Sequence, residues 1–285
     1  MEGGTDMGLD VTDFSAGYGS DMIVRNISFS IPSNTLTALI GPNGCGKTTL
    51  LKGLCRLIPH SGKAVLTSQC CKNLPEARRP FSDPGIPIDT ENCSSREIAR
   101  HISYIPQRRG IHIPLTVLDV VLMGFQPFLP LLASPGKKHT TDARTALAAV
   151  GMQDYASKNF QTLSEGQKQL CILARALVQK TQLLLFDEPD SALDFPNRHK
   201  MLHTIRQIVY DQKKTALLIL HDLGIALDYC DQLLVMKEGR LCGILHPQTD
   251  SEFVLSEKLS AIYGPVKVFR HYGHCFVLPA SDGRT

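Results

Sequence analysis

Residues 36–49 read LTALIGPNGCGKTT, and their reading decides the fold. The opening LTALI is a short apolar run that stops at a glycine, the pattern of a strand buried in a sheet. The remainder satisfies the spacing G-x-x-x-x-G-K-[ST] through Gly41, Gly46, Lys47 and Thr48. A triphosphate needs many hydrogen-bond donors close together. Glycines let the backbone N–H groups of Asn43, Gly44, Cys45, Gly46, Lys47 and Thr48 curl around a β-phosphate without obstruction. The helix that opens through Thr49 adds its positive N-terminal end. Lys47 supplies a point charge for the β- and γ-phosphates, and Thr48 a hydroxyl for Mg²⁺. A strand before such a loop and a helix after it is the setting this chemistry requires.

A second acidic site lies downstream in LLLFDEPDSALD, residues 183–194. Here Asp187 and Glu188 close an apolar run. In open α/β sheets catalytic groups gather where strands end. Asp187 is expected to face the magnesium site beside Lys47. Glu188, one residue later, can polarise a water against a γ-phosphate.

Around these two sites, apolar runs alternate with helical patterns. MIVRNISFSI (22–31) alternates, with Ile27, Phe29 and Ile31 on one face. Leu50, Leu51, Leu54, Leu57 and Ile58 are spaced as in a helix over 47–58, and residues 63–68 could form another strand. Residues 69–92 hold four prolines and little periodicity, so they read as a loop-like surface insertion. SSREIAR restarts a helix with Ser94 or Ser95 as its cap. Residues 114–180 read as mostly helical. From 181 onward strands and helices alternate through TQLLLFDE, TALLILHD and QLLVMKEG. Apolar strands between helices are parallel strands buried on both faces. The fold class is α/β, with strands at the N-terminus and a helical segment set into the middle.

Composition sets outer bounds. A length of 285 residues with 43% hydrophobic content suits one large domain or two modest ones. A net charge of +3 gives no case for a nucleic-acid partner. No run of 18 apolar residues spans a membrane, and MEGGTDMGLD carries no apolar signal core, so a cytoplasmic location is expected. Nine cysteines, an odd number in a chain this long, argue for reduced thiols.

Taken in order along the chain, these features resemble the ATP-binding cassette (ABC) ATPases. GPNGCGKT looks like the family's phosphate loop, YIPQ (104–107) its Q-loop, and LSEGQ (163–167) its signature motif. LLLFDEP looks like its Walker B strand, SALD (191–194) its D-loop, and His221 in LLILHD its switch histidine. GYG (17–19) places Tyr18 where the family stacks an aromatic on adenine.

The resemblance implies a P-loop NTPase core with a mainly parallel sheet, an N-terminal antiparallel β subdomain and an inserted helical subdomain at about 108–180. Residues 1–285 would form one ABC ATPase domain, with a C-terminal extension from about 247 to 285. It implies that two cassettes pair head to tail around ATP. Leu163, Ser164, Glu165, Gly166 and Gln167 would then meet a nucleotide held by another chain, with a homodimer as the simplest source of that chain. Thr48, Gln107 and Asp187 would order Mg²⁺, Glu188 would act on the attacking water, His221 would contact the γ-phosphate, and Asp194 would link the two sites.

One cassette without a membrane segment or a long coiled-coil insert looks like the ATPase subunit of a membrane importer. It would lie on the inner face of the membrane, with polytopic permease subunits as partners and a substrate-binding protein as an indirect one. IPLTVLDVVLMGFQPFLPLLASPGKKH (113–139) and the tail LSEKLSAIYGPVKVF (255–269) are similar to the iron-chelate, haem and cobalamin importer branch. Related cassettes serve zinc and manganese importers. A soluble regulatory ATPase and a P-loop kinase are the readings from other classes. The kinase would have no need of LSEGQ. Ile111, Ile113, Leu115, Val117, Phe125 and Phe128 are candidates for a permease-facing groove or for subdomain core.

Several positions depart from the family pattern. Cys45 stands where a serine is usual, and a thiol beside Lys47 and a helix N-terminus could have a lowered pKa. Asp190 replaces the commoner threonine or serine, and Ser33–Asn34 replaces a glycine–acid turn, each with little expected effect. Cys70, Cys71 and Cys93 do not have the usual chelate spacing for a metal. Glu165 stands where glycine is commonest. An acid aimed at a γ-phosphate would repel it, so its side chain is expected to point away, in a first helical turn where an acid is favourable.

Overall fold

The structure is a computed structural model describing residues 7–66, 88–89, 93–107, 114–130 and 132–280. Two long strands, β1 (Met7–Tyr18) and β2 (Asp21–Pro32), pair antiparallel. In β2 the buried residues are Val24, Ile27, Phe29 and Ile31. The alternation skips one residue at Asn26, which adopts φ 47°. Asn26 N–H donates to Ser15 Oγ at 2.9 Å, and this bulge keeps Ile27, Phe29 and Ile31 on one face. Next come β3 (Leu36–Ile40), α1 (Lys47–Leu54) and β4 (His60–Leu66), the last pairing antiparallel with β1.

The expected helix over 47–58 is shorter than its spacing suggests. It stops at Leu54, Arg56 turns left-handed at φ 54°, and Leu57 is exposed. Chain reversal into β4, three residues earlier than the sequence indicated, takes precedence over the apolar spacing. The 69–92 insertion lies largely outside the described residues. Ile88 and Asp89 form a two-residue strand, β5, against β4. Cys70 and Cys71 also fall outside the description, and no cluster of metal-ligating side chains occurs among the described residues.

The helices α2 (Ser95–Ile98), α3 (Val117–Leu122), α4 (Lys137–Ala149) and α5 (Glu165–Leu177) follow, with β6 (Ile102–Ile105) after α2. Ser94 caps α2 with a reciprocal bond to Glu97, as the sequence allowed. Of the candidate groove residues, Val117 and Phe125 are buried in the core of the helical segment, while Leu115 and Phe128 are half-buried. Ile111 and Ile113 lie outside the described residues. Val117 and Phe125 therefore serve the core of the subdomain.

The rest of the chain is β7 (Leu183–Phe186), α6 (Phe195–Asp211), β8 (Thr215–Ile219), α7 (Leu223–Tyr229), β9 (Gln232–Lys237), β10 (Arg240–Leu245), α8 (Glu252–Tyr263), β11 (Val266–His271) and β12 (His274–Pro279). Among the described residues, six strands form the central sheet in the order β10-β9-β3-β8-β7-β6, all parallel except β10. Alternation explains why these strands read as apolar runs. Leu184, Phe186, Leu218 and Ile40 face the core shared with α5 and α6, while Leu185, Leu217, Ile219 and Leu39 face the core shared with α1 and the N-terminal sheet. A strand with a core on each side carries no polar face.

Candidate functional site

The C-terminal ends of β3, β6, β7 and β8 converge at one edge of the sheet. β3 delivers the loop 41–46. Gly41 has φ 155°, and a Cβ there would lie 2.2 Å from the Met236 carbonyl oxygen, so the turn admits only glycine. Gly46 has φ 103° and is the N-cap of α1. Gly239 N–H ties the β9–β10 turn to the Cys45 carbonyl at 3.0 Å, which buttresses the loop from outside. Lys47 is buried inside the curl, where its Nζ donates to the carbonyls of Gly41 at 2.8 Å and Pro42 at 3.0 Å.

One residue on, Thr48 Oγ1 donates to Asp187 Oδ1 at 2.8 Å. Asp187 is buried at the end of β7, and its other oxygen accepts from Tyr104 Oη at 3.0 Å. Tyr104 comes from β6, whose register places it opposite Leu185. Burial and the Asp187 charge both push the Tyr104 hydroxyl up, so it remains a donor. Sequence reasoning quoted Tyr104 inside YIPQ and gave it no role. Replacing it by phenylalanine is expected to leave one buried Asp187 oxygen without its donor. A cost of about 1–3 kcal/mol in stability follows, with a modest loss of turnover; thermal unfolding and steady-state hydrolysis would measure the two.

Glu188 adopts φ 53°, in the left-handed region that a side-chain-bearing residue occupies at a cost of about 1–3 kcal/mol. That conformation accompanies two contacts. Gln107 Nε2 donates to Glu188 Oε2, and His221 Nε2 lies 2.6 Å from Glu188 Oε1. Gln107 arrives just after β6 and His221 just after β8. Leu220 N–H bonds to the Leu39 carbonyl at 3.4 Å and extends β8 to the site. The structure therefore brings together Lys47, Thr48, Asp187, Glu188, Gln107 and His221. Asn43, Gly44 and Thr49 complete the loop and first helical turn. Tyr18 is exposed at the end of β1, with Lys52 Nζ 3.5 Å from its hydroxyl and over its ring, 6.0 Å from the ring centroid.

The second cluster sits at the start of α5. Ser164 is its N-cap: Ser164 Oγ accepts from Gln167 N–H at 3.3 Å, and Gln167 Oε1 accepts from Ser164 N–H at 3.1 Å. Glu165 Oε1 is held by Lys168 Nζ at 2.7 Å, drawn along the helix in a surface ion pair. Leu163 is buried behind the turn. A Cβ at Gly166 would meet Leu193 at 3.5 Å, an ordinary contact, so neither space nor backbone demands glycine there. Asp194 caps α6 by accepting from Asn197 N–H at 3.1 Å.

Cys45 corrects an expectation. The thiol is buried, and burial pushes its pKa up by more than the nearby Lys47 lowers it. It is therefore a small packing residue with little thiolate. Maleimide labelling of the native chain, mapped by mass spectrometry, is expected to reach exposed Cys242 well before Cys45. A chain retaining only Cys45 should keep its turnover after treatment. Fast labelling of Cys45 with loss of turnover would contradict this.

The family model described as ABC transporter matches residues 24–191, more than half of the chain. The chain belongs to the ABC transporter family. As a member it is an ATP-hydrolysing cassette. Among its relatives is the petrobactin import ATP-binding protein FpuD of Bacillus anthracis, 30% identical over 252 residues, covering 88% of this chain and 84% of the relative. The ferric enterobactin transport ATP-binding protein FepC of Escherichia coli is 31% identical over 249 residues, covering 87% and 84%. In fold, this ABC chain matches that of an ABC transporter solved in an inward-facing conformation, with a TM-score of 0.77 at 23% identity, over 97% and 99% of the two chains. No helix among the described residues is long and apolar enough to cross a membrane.

Proposed function

We propose that this cassette powers import of an iron complex, a siderophore or haem, and that cobalamin is the next cargo class in line. Two copies would sandwich ATP head to tail. The observation that carries the catalytic half is the carboxylate of Glu188 held between Gln107 and His221, one residue from the Thr48–Asp187 pair. Thr48 Oγ1 and Asp187 Oδ1, 2.8 Å apart, are hard oxygen donors of the kind Mg²⁺ takes, and Gln107 offers a third. Bound there, Mg²⁺ would neutralise charge on the β- and γ-phosphates.

Lys47 and the loop amides hold the phosphates. Tyr18 offers its face to adenine. Glu188 takes up or orients the proton of the attacking water, and His221 stands where it can bond a γ-phosphate oxygen as charge develops. Ser164 and the Gly166 N–H would close the site of the other copy. The dispensable glycine at 166 supports this, since a bare backbone N–H admits a phosphate that a side chain would crowd. Asp194 would carry information between the two sites. The lysine-bound Glu165 reduces the repulsion an acid would bring. The names of the relatives support the iron-complex reading.

Such a subunit would sit on the inner face of the membrane against polytopic permease subunits, fed indirectly by a substrate-binding protein. Affinity purification of the full chain from solubilised membranes tests this. A polytopic partner should co-purify, and vesicles carrying the pair should take up an iron chelate only with ATP inside the compartment that holds the cassette. Absence of a membrane partner would favour a soluble regulatory ATPase, and uptake of free metal ions instead would reassign the cargo.

A further inference from the structure

Glu188 and His221 come from loops that follow different strands, and a second link joins these loops besides their own 2.6 Å contact. Arg198 on α6 lies between them. Its buried Nε makes no hydrogen bond and stands 3.5 Å from Asp190 Oδ2, two residues beyond Glu188. Its Nη1 is 3.9 Å from Asp222 Oδ2, the residue directly after His221. Asp222 is fixed in turn, since its Oδ1 caps α7 by accepting from Ile225 N–H at 3.1 Å. Asp190 is also fixed: it is buried, and its carbonyl accepts from Leu193 N–H at 3.1 Å.

We infer that Arg198 is a positioning residue for ATP hydrolysis, a guanidinium fork that fastens the Glu188 loop to the His221 loop through Asp190 and Asp222. This rests on the roles proposed above for Glu188 and His221. A planar guanidinium can face two carboxylates at once, which a lysine cannot do with fixed geometry. Burial pushes the Asp190 carboxyl up, and Arg198 opposes that shift more than any other neighbour; His221 acts in the same sense as Arg198, and Glu188 against it. The acid at 190, a departure from the family pattern for which little effect is expected from sequence, is thus the buried partner of the fork. The rest of the clamp comes from the same helix. His199 Nδ1 meets Tyr229 Oη at 3.0 Å, and Arg206 Nη1 donates to the Asp228 carbonyl at 3.4 Å, so α6 also holds the C-terminal end of α7.

The test uses the full-length chain and two readouts, steady-state ATP hydrolysis and the imidazole NMR signals of labelled His221, assigned with His221→Ala. Arg198→Met is expected to lower kcat about tenfold with KM for ATP within about twofold, less than the roughly hundredfold that a 1 Å misplacement can cost. The His221 signals should move while those of His60, on the far sheet, stay. Retained kcat overturns the inference, and so does a lost kcat with unmoved His221 signals, which would mark Arg198 as generally structural. Should Arg198→Met fail to fold, Asp222→Asn decides by the same two readouts. It keeps the capping oxygen and removes the charge facing Arg198, and a kcat loss of about threefold with shifted His221 signals is expected. If His221→Ala itself retains full kcat, the site reading falls and this inference with it. If His221→Ala loses kcat while Arg198→Met does not, only the inference falls.

Discussion

Glu188→Gln is expected to bind ATP as the native chain does and to hydrolyse it about a thousandfold more slowly, in the middle of the range that a positioned acid–base group contributes. The substitution keeps the size and shape of the side chain. Gln107 can still donate to an amide oxygen, so the contact on one side survives. The carboxylate that faces His221 Nε2 at 2.6 Å is lost, and with it the group that can take a proton from water. The phosphate loop, Lys47 and the Thr48–Asp187 pair are untouched. Binding should therefore persist while chemistry stops. Because hydrolysis would be what releases the paired cassettes, the variant should accumulate as an ATP-bound dimer. Size-exclusion with light scattering would show the mass double with ATP and stay single with ADP. A monomer in ATP would remove the head-to-tail sandwich, and retained turnover would move the catalytic role to another residue.

Much of this was legible in the sequence because the central strands are short-range objects. LTALI, LLLF and TALLI announce themselves as apolar runs, and what they announce is burial on two faces, which the alternate partition of Leu184 and Leu185 between two cores bears out. The phosphate loop is equally local, because its glycines answer to backbone angles within one turn. Other features depend on residues far apart in sequence. Tyr104 meets Asp187 only because β6 pairs with β7, and no spacing rule relates positions so separated. Nothing in the sequence singles out Arg198, whose two carboxylate neighbours lie 8 and 24 residues away and meet it only in the fold. Helix α1 ends at Leu54 because the chain must reverse into β4, against an apolar pattern that would continue. Cys45 shows a competition of magnitudes. The neighbouring lysine was visible in the sequence and the burial was not, and burial has the larger effect.

Lys47→Ala is expected to weaken ATP binding by at least about a hundredfold, since charge-assisted hydrogen bonds contribute about 1.5–3 kcal/mol each and the ammonium would serve two phosphates. Equilibrium titration with a fluorescent ATP analogue would measure it. The side chain also has a job within the loop: its Nζ bonds the Gly41 and Pro42 carbonyls, so alanine removes two contacts as well as a charge. Loop collapse could thus imitate lost recognition. Lys47→Met separates the packing of the buried stem from the ammonium and its bonds, because methionine restores most of the stem but neither the charge nor the two carbonyl contacts. If charge is what ATP requires, methionine will bind as poorly as alanine while unfolding closer to the native temperature. If packing of the loop is what matters, methionine will recover affinity along with stability. The first outcome is expected, because the buried Lys47 ammonium, held between two carbonyls, would exchange them for phosphate oxygens.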